Sequence, residues 1–375
     1  VSRPRVVVAG LGDSGLLTAI HLARHADVVG ISAKPGLVSG QELGIRLTRP
    51  DAWARDYRIG FDRFRRLDTV RTVHGTLTGL DLPNHAVSVR LADDSTVEEA
   101  YDVLVISTGV TNGFWRTADF KSIGDVDDDV RTAHERIAAA SSVLVIGGGA
   151  AAVSSAANIA STWPTTRVDL YYPGAQALPR HHPRVWRTVS RRLRALGVGL
   201  HPQHRAVVPD GFDGDEITGE PVRWTTGQPP ATADAVLWAI GRVRPNTDWL
   251  PTELLDETGF VRVDPDLRVP GHPGVFAIGD VAATDPLRTS ARNRADHLLA
   301  HNIRAELAGR PLRIYRPPRT RWGSVLGAQP NGLQVFAPNG RAFRFPSWTI
   351  DTVLQPLIVR LGIYRGVRRP RSPLS

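Results

Sequence analysis

The stretch Arg5 to Gly15, RVVVAGLGDSG, constrains this chain more than any other. Its branched run, Val6 to Ala9, reads as a buried parallel strand that stops at Gly10. Gly10, Gly12 and Gly15 then stand at G-x-G-x-x-G spacing, ahead of a predicted helix from Leu16 to His25. Each glycine has a task in a dinucleotide-binding turn. The first permits the tight turn, the second lets backbone approach a pyrophosphate, and the third lets the helix pack on the strand. The start of the helix would aim its unpaired N–H groups at the phosphates, so Asp13 and Ser14 are counted with the site.

A lone glycine fingerprint is a weak signal, but here it recurs. Ser142 to Ala152, SVLVIGGGAAA, is a strand followed by Gly147, Gly149 and Ala152, the G-x-G-x-x-A variant. A helix from Ala152 to Thr162 and a strand from Val168 to Tyr172 follow it. In such units an acid after the second strand holds the ribose hydroxyls. Neither unit has one. The first, with its second strand at Asp27 to Ile31, offers Ser32, able to bond a ribose, then Ala33 and Lys34, able to meet a phosphate. The second offers Tyr172, with Arg180, His181 and His182 nearby, so a 2′-phosphate is tolerable and NADH is not favoured over NADPH.

Three further strands are predicted to end in small residues. Tyr101 to Gly109, YDVLVISTG, closes with Thr108 and Gly109, which let a backbone or a cofactor come close. Ala233 to Gly241 repeats that ending with Gly241, and Arg244-Pro245-Asn246 leads the chain back. Gly274 to Asp280, GVFAIGD, sets Gly279 and the Asp280 carboxylate at a strand's C-terminal edge, where open α/β sheets bind ligands. That carboxylate should accept hydrogen bonds from a polyol or from backbone. A helix from Leu287 to Ala308 is expected next, while Val126 to Ala140 reads as a helix before the second fingerprint. Strands are expected near Thr69 to Val73, Thr76 to Leu80 and Ala86 to Leu91, with Arg46 and Trp53 in loop and helix between residues 36 and 66.

The chain of 375 residues suits two or three domains. It has no cysteine, which excludes disulfides, thiolate metal sites and a redox-active C-x-x-C pair. Its twelve histidines show no metal-ligand spacing, so no metal is expected. No apolar run reaches the ~18 residues of a membrane span, and VSRPRVVV does not read as a signal peptide, so the expected location is cytoplasmic. The net charge of +9 is unevenly spread: residues 310–375 hold twelve arginines and one acid, Asp351, over a near-neutral remainder. Leu354, Leu357, Ile358 and Leu361 in that tail fall at i, i+3, i+4, i+7, with Pro356 breaking or starting a helix whose regular part is Pro356 to Tyr364. Arg360, Arg365, Arg368, Arg369 and Arg371 accompany it. Such a basic amphipathic segment either lies on an anionic membrane, which would place the protein on its inner face, or packs on the protein's own body.

GLGDSG, ISTG, GGGAAA, WAIGRVRPN and VPGHPGVFAIGD, in that order, resemble the two-dinucleotide-binding-domain flavoproteins of the pyridine nucleotide-disulfide oxidoreductase superfamily. Within it the chain looks most like the type II NADH dehydrogenases and the apoptosis-inducing-factor-like, ferroptosis-suppressor type of quinone reductase. The resemblance covers about residues 5–310. It implies an α/β fold of two Rossmann-like domains, the second inserted in the first. Residues 1–112 and 242–310 would bind FAD, residues 113–241 would bind NADH or NADPH, and residues 311–375 would form a small C-terminal α+β segment. Gly10, Gly12 and Gly15 would hold the FAD pyrophosphate, and Gly147, Gly149 and Ala152 that of NAD(P)H. Asp280 would bind the ribityl chain, Leu77 would touch the adenine through its backbone, and Thr289 and Ser290 would lie near the flavin pyrimidine.

Departures accompany the resemblance: Ser154 stands where many relatives carry a nicotinamide-side glutamate, and Gly241 ends Ala-Ile-Gly rather than Ala-Thr-Gly. Without cysteine the disulfide-reductase branch is closed. The implied reaction passes hydride from NAD(P)H to flavin and electrons onward to a separate acceptor, with no side chain nominated as acid or base. A quinone is the expected acceptor. A small electron-carrier protein such as ferredoxin, docked on the basic tail, and a non-enzymatic flavin-bearing sensor remain alternatives. No nucleic-acid partner is expected.

Overall fold

The computed structural model describes residues 3–284, 295–316 and 323–369. The chain opens with β1 (Arg5–Ala9), α1 (Asp13–Leu22) and β2 (Asp27–Ser32). A short pair, β3 (Gly36–Val38) and β4 (Arg58–Gly60), encloses α2 (Leu43–Thr48) and α3 (Pro50–Tyr57). After β5 (Arg71–His74) comes an antiparallel meander of β6 (Thr76–Asp81), β7 (Ala86–Arg90) and β8 (Thr96–Ala100), then β9 (Val103–Ile106) and β10 (Val110–Thr111). The middle of the chain holds α4 (Ile123–Ala138), β11 (Ser142–Ile146), α5 (Ala150–Thr162), β12 (Arg167–Tyr171), α6 (Pro183–Ala195), β13 (Gly199–His201) and β14 (Ala235–Trp238). It returns through β15 (Arg244–Pro245), β16 (Val275–Ala277) and α7 (Ala295–Leu307). Three antiparallel strands, β17 (Gly323–Gln329), β18 (Gly332–Phe336) and β19 (Ala342–Phe345), precede a C-terminal helix, Ile350–Ile363.

Two parallel sheets result, ordered β16-β9-β1-β2-β5 and β13-β12-β11-β14. They share one design. Val6 of β1 lies opposite Val28 and Val103, and Val143 of β11 lies opposite Val168 and Ala235. The two-residue alternation of a strand sorts β1 into two layers. Val6 and Val8 pack with Leu16, Ile20, Leu299 and Ile303 of α1 and α7, while Val7 and Ala9 pack with Val87 and Val89 of the meander. In the second sheet Val143 and Val145 join Val153, Ala157 and Ile137 of α5 and α4, and Leu144 and Ile146 face Val222 and Trp224. Strands covered on both faces have to be apolar throughout, hence the unbroken runs in the sequence. The β10 and β15 strands pair antiparallel where the chain enters and leaves the second sheet. Asn246 fastens that crossing, its Nδ2 donating to the Thr108 carbonyl (3.0 Å) while Thr111 Oγ1 donates to its Oδ1 (2.8 Å).

Both fingerprint helices start earlier than expected, at Asp13 and Ala150 rather than Leu16 and Ala152. Gly12 and Gly149 are extended N-cap residues, so the third small residue falls inside the first turn. Helix α4 starts at Ile123 because Ser122 and Asp125 form a capping box, Ser122 Oγ accepting from Asp125 N–H (3.1 Å) and Asp125 accepting from Ser122 N–H (2.7 Å). Of the expected Leu287 to Ala308 helix, residues 295–307 are helical as α7; residues 285–294 lie outside the described residues.

The C-terminal helix departs most. It runs unbroken through Pro356 in wide turns, with Tyr364 N–H donating to the Val359 carbonyl five residues back (3.0 Å). The wide turn accommodates a residue that has no N–H and that would crowd the preceding turn of an α-helix. The face that docks on the body carries Gln355, Val359 and Tyr364, with Tyr364 edge-on to Phe64 and Arg360 paired to Asp56 at 3.0 Å. The expected apolar stripe is not that face. Leu357 and Leu361 are 54% and 61% exposed, Ile358 is exposed too, and only Leu354 is partly covered, which overturns for this stripe the alternative of packing on the body.

Candidate functional site

A cleft of about 1920 Å³ crosses the carboxyl ends of both sheets and is lined from both fingerprint turns. Pockets for drug-sized ligands run to about 1,000 Å³, so this one has room for far larger occupants.

The small residues of the two turns divide into those that build and those that open. A Cβ on Gly10 (φ +103°) would stand 2.6 Å from the Ser107 carbonyl oxygen, and one on Gly147 (φ +141°) 2.1 Å from that of Ala239. A Cβ on Gly15 would lie 1.9 Å from the Gly10 carbonyl oxygen. These three sites, with fully buried Ala152, are structural and do not line the cleft, except Gly10. Gly12 and Gly149 differ: a Cβ there would meet nothing within 4 Å. Both line the cleft, both cap a helix, and neither helix receives a side-chain cap. Two helix N-termini therefore present uncapped N–H groups, with their positive dipole ends, at glycines open to one cavity. That cradle fits the diphosphate of a dinucleotide, twice over.

Asp13 and Ser14 line the cleft, and Ser39 Oγ donates to Asp13 Oδ2 at 3.2 Å. Ser32 lines it as well, its Oγ accepting from Lys34 N–H at 3.2 Å. The Lys34 ammonium is turned to protein: its Nζ donates to the carbonyls of Thr117 (2.9 Å) and Asp119 (3.0 Å). Burial pushes it down to about 8, against the opposing pull of the Asp119 charge. Arg46 is held likewise, with Nη1 donating to the Trp115 carbonyl (2.6 Å) and its guanidinium 4.4 Å from the Trp53 ring centre. Burial lowers it to about 10. Leu77, Thr108, Gly109, Gly241 and Gly279 also line the cleft.

Asp280 sits at the C-terminal edge beyond β16, and its Oδ2 pairs with Arg116 Nη1 at 2.7 Å. Sequence reasoning missed Arg116, since nothing in its local pattern signals that it comes to rest beside Asp280. Tyr172 does not reach the site. It is buried, edge-on to Trp186 at 5.4 Å, and burial raises its hydroxyl. Ser154 lines the cleft but is committed to packing, its Oγ donating to the Leu326 carbonyl (3.3 Å) within a buried network of Asn158 and Gln329. Thr289 and Ser290 lie outside the described residues. Away from the cleft, His21, Asp296 and His297 offer ligand atoms within 4.8 Å of one another, though His21 Nε2 already bonds Asp296 Oδ2 at 2.9 Å. The three come from α1 and α7, so no spacing along the chain could have revealed them.

The match to known proteins follows the same outline. Oxidoreductase ptaL of Pestalotiopsis fici is 28% identical over 341 residues, 88% of this chain and 84% of that protein. Ferroptosis suppressor protein 1 of Xenopus tropicalis is 25% identical over 84% of this chain and 83% of its own length. The type II NADH:quinone oxidoreductase Ndh of Mycobacterium tuberculosis is 31% identical over 147 residues, 38% of this chain and 31% of that one. Among solved structures, reduced CoADR-RHD of Bacillus anthracis superposes with a TM-score of 0.65 at 18% identity, covering 89% of this chain. The chain spans only 61% of that protein's length. NDH2 of Plasmodium falciparum superposes at 0.60 with 14% identity, covering 75% of this chain and 64% of that one. These likenesses in structure concern the fold. No described helix is long and apolar enough to cross a membrane. The family match itself spans residues 4–302 and takes in both fingerprints, both crossing strands and Asp280, so the chain belongs to the pyridine nucleotide-disulphide oxidoreductases, whose members bind FAD and NAD(P)H.

Proposed function

We propose that this protein is an FAD-dependent NAD(P)H oxidoreductase that delivers electrons to a quinone. The observation that carries this reading is the one cleft into which Gly12 and Gly149 both open. In this reading residues 1–112 and 242–310 form the FAD domain, residues 113–241 the NAD(P)H domain, and residues 311–375 the C-terminal region.

FAD supplies the chemistry when bound, accepting two electrons from the nicotinamide and releasing them to the acceptor. The residues of the chain bind and orient. The N–H groups after Gly12, including those of Asp13 and Ser14, hold one diphosphate, and those after Gly149 hold the other. Asp280, fixed by Arg116, accepts from ribityl hydroxyls; Ser32 bonds the adenosine ribose and Leu77 backs the adenine. Thr108, Gly109 and Gly241, small residues near the crossing between the sheets, line the cleft and would leave room there for the flavin and nicotinamide rings. Ser154, its hydroxyl bound to the Leu326 carbonyl, contributes no carboxylate to the nicotinamide side. Lys34 and Arg46 act through the protein, tying the loop of Trp115 and Thr117 over the cleft. The chain's own thiols play no part, since it has none.

The C-terminal helix supports a quinone as acceptor. Ile350, Val353, Leu354 and Val359 line the cleft, while Trp348 (65% exposed), Leu357 and Leu361 are exposed on a segment whose sequence is rich in arginine. An apolar acceptor drawn from a membrane would meet such a surface, and each Arg near anionic lipid adds ~1 kcal/mol. The likeness to a type II NADH:quinone oxidoreductase of Mycobacterium tuberculosis points the same way.

Stopped-flow reduction by NADH and NADPH, followed by addition of quinone or ferredoxin, tests the reading. Rapid reoxidation by quinone is expected. Preferential reoxidation by ferredoxin would move the acceptor to a carrier protein, and a bound flavin that neither nucleotide reduces would make the protein a sensor. Flotation with anionic liposomes should be lost on removal of residues 348–375, and equal flotation of both forms would discard the membrane surface.

A further inference from the structure

We infer that the second fingerprint holds NADPH in preference to NADH, with Arg180 and His181 receiving the 2′-phosphate of its adenosine. This rests on the NAD(P)H reading above. The adenosine ribose in such a turn lies beyond the end of the second strand, where a carboxylate would take both hydroxyls and repel a phosphate. Here no carboxylate stands there. The segment from Gly148 to His182 contains one acid, Asp169, which lies within β12 away from the cleft and is bonded to His201 (2.8 Å) and Arg167 (3.3 Å). Tyr172, the residue next to the strand end, is buried against Trp186.

What occupies the place is a basic loop fastened to the fingerprint turn. Leu178 N–H donates to the Gly148 carbonyl at 2.7 Å, and His181 N–H donates to the Leu178 carbonyl at 3.0 Å. Leu178 is buried and left-handed (φ +59°), a conformation a branched side chain adopts only when its surroundings impose it. That reversal brings Pro179 to His182 onto the cleft wall, next to Gly148 and Gly149. His182 is spent on folding, its Nδ1 accepting from Arg184 N–H (3.2 Å) as the cap of α6. Arg180 is exposed on the cleft wall and His181 half-buried beside it. A guanidinium fork matches a phosphate monoester with two parallel hydrogen bonds, and an imidazole can add a third.

The test measures dissociation constants on the FAD-loaded protein for two pairs that differ only in the 2′-phosphate, adenosine 2′,5′-bisphosphate against AMP and NADP⁺ against NAD⁺. The phosphate-bearing member of each pair is expected to bind about tenfold or more tightly. Arg180→Ala should reduce that ratio to within about twofold, and Arg180→Lys should restore part of it. Pro173→Asp, placing a carboxylate on the cleft wall beside the strand end, should invert it. Equal affinity in the unaltered protein overturns the inference, as does an Arg180→Ala variant that weakens both members of a pair equally. A protein that binds FAD but neither dinucleotide overturns the functional reading and the inference with it. Binding of NAD⁺ alone overturns only the 2′-phosphate assignment.

Discussion

The two fingerprint turns are built on one plan and differ at one point of contact. In each, the strand beside the first one ends in a small residue whose N–H joins it: Ser107 N–H donates to Ala9 O, and Ala239 N–H donates to Ile146 O, both at 2.8 Å. The Ser107 hydroxyl goes further, donating to the Gly10 carbonyl at 2.7 Å and filling the space above the helix start. A methyl on Gly15 would fall 2.5 Å from that hydroxyl and into the Gly10 backbone. Ala239 has no hydroxyl, and the corresponding position accepts Ala152. The third small residue of a fingerprint is thus set by the turn's own carbonyl together with the neighbouring strand's last side chain, whereas the second, Gly12 or Gly149, is set by what enters from the cleft.

The largest effect expected from breaking this comparison is Gly15→Ala. It should cost about 3 kcal/mol by overpacking, read in urea denaturation, and should release flavin. Ala152→Gly should cost only ~1 kcal/mol, the helix-interior preference of alanine. Equal losses would mean that the turns are not distinguished by Ser107.

Next comes Lys34, beyond the second strand of the first unit. The unfolded chain keeps the Lys34 proton to the usual 10.5, whereas the fold releases it near 8. Folding therefore bears the full cost of the charge below pH 8, and stability recovers as pH rises from 8 to 10.5, by roughly 3 kcal/mol. Lys34→Met should exceed the unaltered protein in stability at pH 7, and the gap should close by pH 10.5. Smallest in folding energy is the pair Gly12→Ala and Gly149→Ala. Each should alter stability by less than about 1 kcal/mol, since the added methyl touches no protein atom. The first should lose FAD, and the second should raise the KM for NAD(P)H about tenfold while keeping its flavin. A shared defect in both would contradict the division between them.

Much of this was legible in the sequence because the signals are local. A run such as SVLVI bounded by glycine fixes a doubly covered strand, and Gly279-Asp280 after an apolar run places a carboxylate at an edge. What escaped depends on distant chain. Arg116 meets Asp280 across 164 residues, and the docking of Arg360 on Asp56 spans 304. Tyr172 holds the right register for a ribose contact, yet Trp186 of α6, a helix not read from the sequence, draws it into the core. That helix did carry a signal, with Pro183 at its first position and Val185, Trp186, Val189 and Leu193 on one buried face. The tail's apolar stripe was visible, but whether it would be covered was decided by Gln355 and Val359 docking instead.

The most direct test of the account is the visible spectrum of the purified protein during anaerobic titration with NADPH. The account predicts a yellow protein with an absorption band near 450 nm that bleaches on addition of the nucleotide. A colourless protein that takes up no FAD, or a bound flavin whose band neither NADPH nor NADH bleaches, would contradict it.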